Sequence, residues 1–363
     1  MKIAIVMPTW LGDLAMATPT IRAIHRHFGA RARLIGIMRP YQSTLLEGTG
    51  WLSEQWYYDP RSKDLRLGLT ATAMRLRRAR FEMAVLLPNS FRSALLAYLA
   101  GAQTRIGYVQ YGRAPLLTTK VPAKFREGGQ RLPQVDRYLG LARAIGCPPE
   151  SRRLELLTTA ADERSADDVF RGLGIRDDGR LVTLNFSSAV AVSRLWPVEH
   201  FGDLARRIAS ELDHDVLVMC GPKEREIARA IVRLSGNQRV FSMADQPLDL
   251  GTTKACSGRA RLMVSTDSGP RHIAAALGVP VITLYGPILP AETRNSTQRA
   301  VELHLDLDCL GCEKRVCPLG HHRCMRDLKV DTVYAEVVKL LSANRQRVHQ
   351  IAGNKTLVSP NAA

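Results

Sequence analysis

The sequence predicts an α/β protein made of two consecutive halves, each a doubly wound parallel sheet flanked by helices. Three observations carry this. Short apolar runs alternate with amphipathic helical stretches from residue 2 to residue 145, the pattern of parallel strands joined by crossover helices. The alternation stops at CPPESRR, residues 147–153, whose prolines and charges suit an interdomain connection, and it restarts at Leu181. A length of 363 residues fits two domains better than one.

The elements follow in order. KIAIVMP (2–8) is a strand, and 14–28 has helical periodicity. Residues 33–38 form a second strand and 67–80 a basic amphipathic helix. EMAVLLP (82–88) is a buried strand that leads into a helix at 90–100. A short strand at 105–109 and a helix at 135–145 complete the half. Between them, 108–132 is rich in Gly, Pro, Arg and Lys and reads as a long loop, a kind of segment that is often functional. In the second half, strands are expected at 181–186, 216–220, 262–266 and 281–285. Helices are expected at 198–212, 224–234, 269–277 and 331–343. The domains are therefore 1–150 and 151–343, with a polar, disordered tail at 344–363. Two such Rossmann-like halves face each other across a cleft, and ligands gather at the carboxyl ends of their strands.

Charge is unevenly distributed. Residues 1–150 hold 22 Lys+Arg against 9 Asp+Glu, net +13; residues 151–363 hold 29 against 25, net +4. A field of that sign favours a polyanionic partner such as nucleic acid, an anionic membrane surface or a phosphorylated substrate, although solubility alone is the plain alternative. No RNP-type aromatic motif is present and aromatics are only 6%, so no nucleic-acid partner is expected. No run of about 18 apolar residues occurs, so no span is expected. The absence of a charged-then-apolar leader pattern predicts a cytoplasmic protein.

Four stretches carry candidate chemistry. TWLGDLAMATPTIRAI (9–24) follows the first strand with a single glycine, Gly12, and a carboxylate, Asp13. Asp13 is either an N-cap or a general base at the sheet edge, and a helix N-terminus would keep it ionised in both roles. STDSGPRHIAAALGVPVITLYGP (265–287) is a second strand–turn–helix. There Asp267 is a cap or part of a diphosphate site, the N–H groups of Ser268 and Gly269 suit an anion, and His272 is a ligand or a satisfied core histidine. NFSSAVAVSRLWP (185–197) offers the Ser187 and Ser188 hydroxyls and the Arg194 guanidinium to a pyrophosphate. In CGPKERE (220–226), Glu224 binds a ribose hydroxyl or only favours a helix start.

The stretches PTWLGDLAMATPTIRAI, LLPNSFRSALLAYLAGAQTRIGY, SRLWPVEHF and STDSGPRHIAAALGVPVITLYGP resemble, in order and over roughly residues 1–343, the ADP-heptose:lipopolysaccharide heptosyltransferases of glycosyltransferase family 9. The tryptophan-containing first turn and LPNSFRSAL look more like the heptosyltransferase II branch. The resemblance implies a GT-B architecture, inverting transfer and no metal or cofactor required for catalysis. It puts the acceptor on the N-terminal half and the ADP-sugar on the C-terminal half. It carries the base onto Asp13 and the donor site onto Ser187, Ser188, Glu224, Asp267, Gly269 and His272. Arg194 stands where the family usually has a lysine, which keeps the charge and changes the geometry. The implied partners are ADP-heptose, a Kdo- and heptose-bearing lipid A, and the inner face of the inner membrane, to which the protein would attach peripherally. Arg61, Lys63, Arg113 and Lys120, with Lys124 and Arg126, are then candidate acceptor contacts, and the 67–80 helix is either a membrane contact or a solvated face. The alternatives are heptosyltransferase I, another family-9 transferase with a different nucleotide-sugar, or a nucleotide- or RNA-binding module without catalysis.

One motif stands apart. DCLGCEKRVCPLGHHRC spaces Cys309, Cys312, Cys317 and Cys324 as C-x2-C-x4-C-x6-C. Such a set reads as a structural zinc or iron–sulfur site, as free thiols, or as a disulfide pair, with His321 and His322 as substitute ligands.

Overall fold

The computed structural model describes residues 1–127, 130–187, 191–294 and 299–354. Ser188 lies outside them. The N-terminal half contains β1 (Lys2–Val6), β2 (Arg33–Met38), β3 (Glu54–Tyr57), β4 (Met83–Leu86), β5 (Thr104–Val109) and β6 (Thr119–Pro122). They pair in parallel in the order β3-β2-β1-β4-β5-β6. A small antiparallel hairpin, β7 (Arg126–Glu127) and β8 (Gln130–Arg131), projects beyond β6. The C-terminal half repeats the plan with β9 (Leu181–Asn185), β10 (Asp215–Met219), β11 (Val240–Ser242), β12 (Leu262–Thr266), β13 (Val281–Leu284) and β14 (Ala300–Leu303), in the order β11-β10-β9-β12-β13-β14. Strand order reverses between β1 and β4 in one sheet and between β9 and β12 in the other. Those two points are where such sheets open a crevice for ligand.

Strand periodicity divides the core. In β1, Ala4 and Val6 point into an apolar cluster on the outer face of the first sheet, while Ile3 and Ile5 point the other way. In β10, Val216 and Val218 face the outer cluster of the second half and Leu217 and Met219 face inward. The inward-facing residues of both halves belong to one cluster, so the halves share apolar packing as well as a cleft. Polar ties reinforce it. Arg22, buried on the Thr18–Phe28 helix, donates to Glu155 at 2.8 Å and to the Arg153 carbonyl at 3.0 Å in the connection between the halves. Buried Lys254 bridges Asp162 and the Thr44 carbonyl, each at 3.0 Å.

The structure adds to the expected elements. Residues 108–132 are not a bare loop: they hold β6 and the β7–β8 hairpin. Helices at Ala160–Leu173 and Leu250–Gly258 also appear, the first opened by a Thr159/Asp162 capping box. The last helix runs Val330–Asn354, so residues 344–354, expected in a disordered tail, are helical. Residues 355–363 lie outside the described ones.

Candidate functional site

The chain after β1 turns through Trp10 into a six-residue helix, Leu11–Met16. Trp10 is the N-cap, so Asp13 sits inside the first turn and caps nothing; the capping reading is corrected. The expected 14–28 helix is two helices, broken at Ala17, with Pro19 near the start of the second, where its missing N–H costs nothing. Asp13 is half-buried, and its carboxylate has no hydrogen bond or ion pair among the described residues. Burial without a compensating cation pushes its pKa from 3.8 up to about 6. The buried Tyr138, on the Gln134–Ala144 helix, feels the Asp13 charge; its own burial and that charge hold its hydroxyl well above the ordinary value.

The chain after β12 makes a matching turn into the helix Gly269–Ala276, and the two turns meet. A Cβ on Gly12 would lie 3.0 Å from Gly269 Cα and 3.1 Å from His272 Cδ2; one on Gly269 would lie 3.2 Å from Gly12 N. A Cβ at either position would be tighter than ordinary contact, so glycine favours this approach, which sets the Asp13 helix start directly against the anion-type turn of the other half.

Asp267 is buried and its role is internal. Arg271, one helical turn on and also buried, donates to it at 2.7 and 3.0 Å, and Arg194 reaches its carboxylate at 3.2 Å and its carbonyl at 3.1 Å. Burial alone would raise the Asp267 pKa, but Arg271 and then Arg194 outweigh it and hold the carboxyl below its ordinary value. Ser268, not Asp267, is the N-cap, without a side-chain capping bond. Asn185 at the end of β9 donates to the Ser265 hydroxyl at 2.9 Å and the Ser268 hydroxyl at 2.8 Å, and Thr266 donates to the Ser187 carbonyl at 2.7 Å. Ser187, Arg194, Asp267, Ser268, Gly269 and His272 are thus brought to one edge of the second sheet. Among the described residues the Arg194 Nε–H is buried with no acceptor, while the side chain as a whole stays partly exposed. Glu224 is the N-cap of the Arg225–Ser235 helix and accepts from Gly221 N at 2.8 Å.

Two strand–turn–helix edges, one presenting an unpaired carboxylate and the other an arginine and helix N–H groups, suit transfer of a group from an anionic leaving group to a deprotonated acceptor. Comparison with known proteins narrows this. The sequence profile of "Glycosyltransferase family 9 (heptosyltransferase)" matches residues 69–323. The chain belongs to glycosyltransferase family 9. It is 26% identical over 353 residues to the lipooligosaccharide heptosyltransferase 2 of Campylobacter jejuni, covering 94% of this chain and 98% of that one. In structure it is similar to the Escherichia coli ADP-heptose LPS heptosyltransferase II, with a TM-score of 0.77, 22% identity and coverage of 95% and 100%. It is also similar to the E. coli heptosyltransferase WaaC solved with ADP-2-deoxy-2-fluoro heptose, with a TM-score of 0.70, 16% identity and coverage of 93% and 99%. The fold is therefore that of the GT-B heptosyltransferases, and the chain is a glycosyltransferase.

In this family-9 transferase the residues assigned to the acceptor do not form one patch. Arg61 and Lys63 are exposed after β3, whereas Lys120 is exposed on β6, the opposite edge strand of the sheet, five strand spacings or roughly 24 Å from β3. Arg113 is a correction. It is fully buried and donates to the Tyr108 carbonyl at 2.8 Å, the Pro88 carbonyl at 2.5 Å and Asn89 Oδ1 at 2.8 Å. Burial lowers its pKa to about 10, and it braces the PNS turn instead of meeting ligand. The sequence reading missed Arg39 and Arg92. Arg39 pairs with Asp59, and its pKa is lowered by burial and by the nearby Arg61 and Arg92 charges. These three arginines follow β2, β3 and β4 at the carboxyl edge, where Trp10, Tyr41 and Phe91 are also exposed.

None of the seven cysteines is joined in a disulfide, and among the described residues no three His, Cys, Asp or Glu side chains converge to hold a metal ion. The metal reading of Cys309, Cys312, Cys317 and Cys324 therefore finds no cluster. The His322 N–H, helped by those of Leu319, Gly320 and His321, holds the Cys317 thiol below its usual value, while burial lifts Cys324 to about 11. No helix among the described residues is long and apolar enough to cross a membrane.

Proposed function

We propose that this transferase moves heptose from ADP-L-glycero-D-manno-heptose onto the first heptose of the lipopolysaccharide inner core, with inversion at the anomeric carbon. The observation that carries the reading is Asp13, a desolvated carboxylate without a partner among the described residues, set against the Gly269 turn. The donor and the second-heptose step rest on the names of similar proteins, lipooligosaccharide heptosyltransferase 2 and ADP-heptose LPS heptosyltransferase II.

The acceptor hydroxyl oxygen attacks the anomeric carbon as the bond from that carbon to the ADP oxygen breaks. Asp13 takes the hydroxyl proton. A carboxyl with a pKa of about 6 is mostly ionised at neutral pH yet basic enough to assist, and such a base contributes about 10²–10⁴-fold. On the donor side, the partly exposed Arg194 guanidinium, the Ser187 and Ser188 hydroxyls and the N–H groups opening the Gly269–Ala276 helix receive the charge that develops on the departing diphosphate. Asp267 and Arg271 hold Arg194 and the turn in place. Glu224 takes a ribose hydroxyl of the donor. The acceptor lies on the N-terminal half, where Arg39, Arg61 and Arg92 meet its phosphates and carboxylates, with Lys63 at the rim; Lys120, on the far edge strand, touches the membrane-side charge. The net positive N-terminal half draws the protein to the inner face of the inner membrane as a peripheral protein.

ADP release from ADP-heptose is measured with Kdo-lipid A and with the same acceptor already carrying one heptose. Release only with the second acceptor is expected. Release with bare Kdo-lipid A assigns the first-heptose step instead, and no release with either, from protein that binds ADP, means a different donor or acceptor.

A further inference from the structure

The four-cysteine segment takes no part in the chemistry above, yet it is built against the donor edge. Ser193, the residue before Arg194, is buried in a single 3-10 turn, Val192–Arg194, which is too short to hold its own geometry. The segment holds it from three directions. Ser193 N–H donates to the Arg315 carbonyl at 3.2 Å, its hydroxyl donates to the Lys314 carbonyl at 2.5 Å, and its carbonyl lies 2.7 Å from His322 Nε2. A carbonyl only accepts, so His322 carries its proton on Nε2.

The segment is itself pinned to the neighbouring turns. Glu313 N–H donates to the Pro287 carbonyl at 2.9 Å, and Trp196 Nε1 donates to the Leu328 carbonyl at 2.8 Å. Gly286 packs so closely that a Cβ there would lie 2.9 Å from Met325 Sδ and 3.1 Å from the Ser193 carbonyl. His322 has a φ of 52°, left-handed backbone that a non-glycine residue adopts only when its surroundings impose it. Its side chain points from that position onto Ser193, next to Arg194, whose guanidinium is tied to Asp267.

We propose that His322 is a positioning residue for donor binding: through Ser193 it fixes Arg194 at the angle that serves the diphosphate. The inference rests on the donor reading given above. A purely structural loop bond would affect folding alone. A positioning bond affects nucleotide affinity selectively and is restored by another N–H donor of similar reach.

The test uses the full chain and measures ADP binding by calorimetry, the melting temperature, and KM for each substrate. His322→Ala is expected to weaken ADP binding and raise the donor KM about 5- to 10-fold while the acceptor KM stays within about twofold. His322→Gln, whose amide N–H reaches the same carbonyl, recovers most of the affinity. Val316→Ser, at an exposed position of the same segment, changes nothing. Wild-type ADP affinity in a folded His322→Ala protein overturns the proposal, and so does failure of His322→Gln to recover any of a loss. If His322→Ala does not fold, His322→Asn, which suits the left-handed backbone but is too short to reach the Ser193 carbonyl, carries the test: a several-fold loss of ADP affinity supports the brace and wild-type affinity overturns it. Wild-type protein that binds no ADP overturns the donor reading itself, a result distinct from an indifferent variant.

Discussion

The turns after β1 and β12 are the same device with opposite electrostatics. Each leaves the carboxyl end of a central strand, passes a glycine and enters a helix, and each carries an aspartate near the turn. Asp267 is buried with two arginines, which keep it ionised and make it part of the scaffold. Asp13 has no cation beside it among the described residues, so burial raises its pKa to about 6 and leaves it able to accept a proton near neutral pH. What each aspartate does is set by the cations placed beside it: Arg271 from the following helix and Arg194 from the Val192–Arg194 turn at Asp267. Arg271, four residues after Asp267, has its counterpart after Asp13 in the small, uncharged Ala17.

The contrast is broken most severely at Asp13. Asp13→Asn should lower kcat by about 10²–10⁴-fold while ADP affinity stays within about twofold, because the amide keeps the shape and loses the base. Asp267→Asn should instead act on folding. It leaves buried Arg271 without its counter-charge, at a cost of roughly 3–5 kcal/mol in denaturant unfolding. Gly12→Ala forces the two turns apart. An overpacking cost of about 1–3 kcal/mol felt at the reacting centre corresponds to roughly a 10- to 100-fold fall in kcat/KM, in a protein that still folds. A further effect is on stability and has the opposite sign. Because Asp13 is more basic in the folded state than in the unfolded chain, folding binds a proton between pH 3.8 and about 6, and stability falls as pH rises through that window. Asp13→Asn should thus melt above wild type at pH 7.5, with the gap closing by pH 4; a lower melting temperature at pH 7.5 would count against a desolvated Asp13.

The central strands were legible because burial on both faces makes them continuous apolar runs, such as KIAIV and LMVST. The four strands that were not legible, EQWY, TKVP, VFS and AVEL, are the four edge strands of the two sheets. An edge strand is half-exposed, so its composition is mixed and its periodicity short. The helix LGTTKACSG escaped because it is made of small and polar residues without an apolar stripe, whereas the T-x-x-D start of Ala160–Leu173 was readable and passed over. At the site, the Asp13 and Asp267 turns were visible as strand–glycine–helix patterns, and the four-residue spacing of Asp267 and Arg271 was already a salt-bridge signal. Arg113 was misread because half of its partners are main-chain carbonyls, which leave no mark in a sequence, and the others, Ser93 and Asn89, are brought to it by the fold. Tyr138 reaches Asp13 from a helix far along the chain, and only the fold brings them together.

The most direct test of Asp13 as the base is the pH dependence of kcat/KM for wild type and Asp13→Asn, measured by ADP release with saturating acceptor. The account predicts a wild-type rate that rises with pH and levels off above an apparent pKa near 6, and a residual rate in the variant that lacks that limb. The same limb in Asp13→Asn, or a variant as fast as wild type, would contradict it.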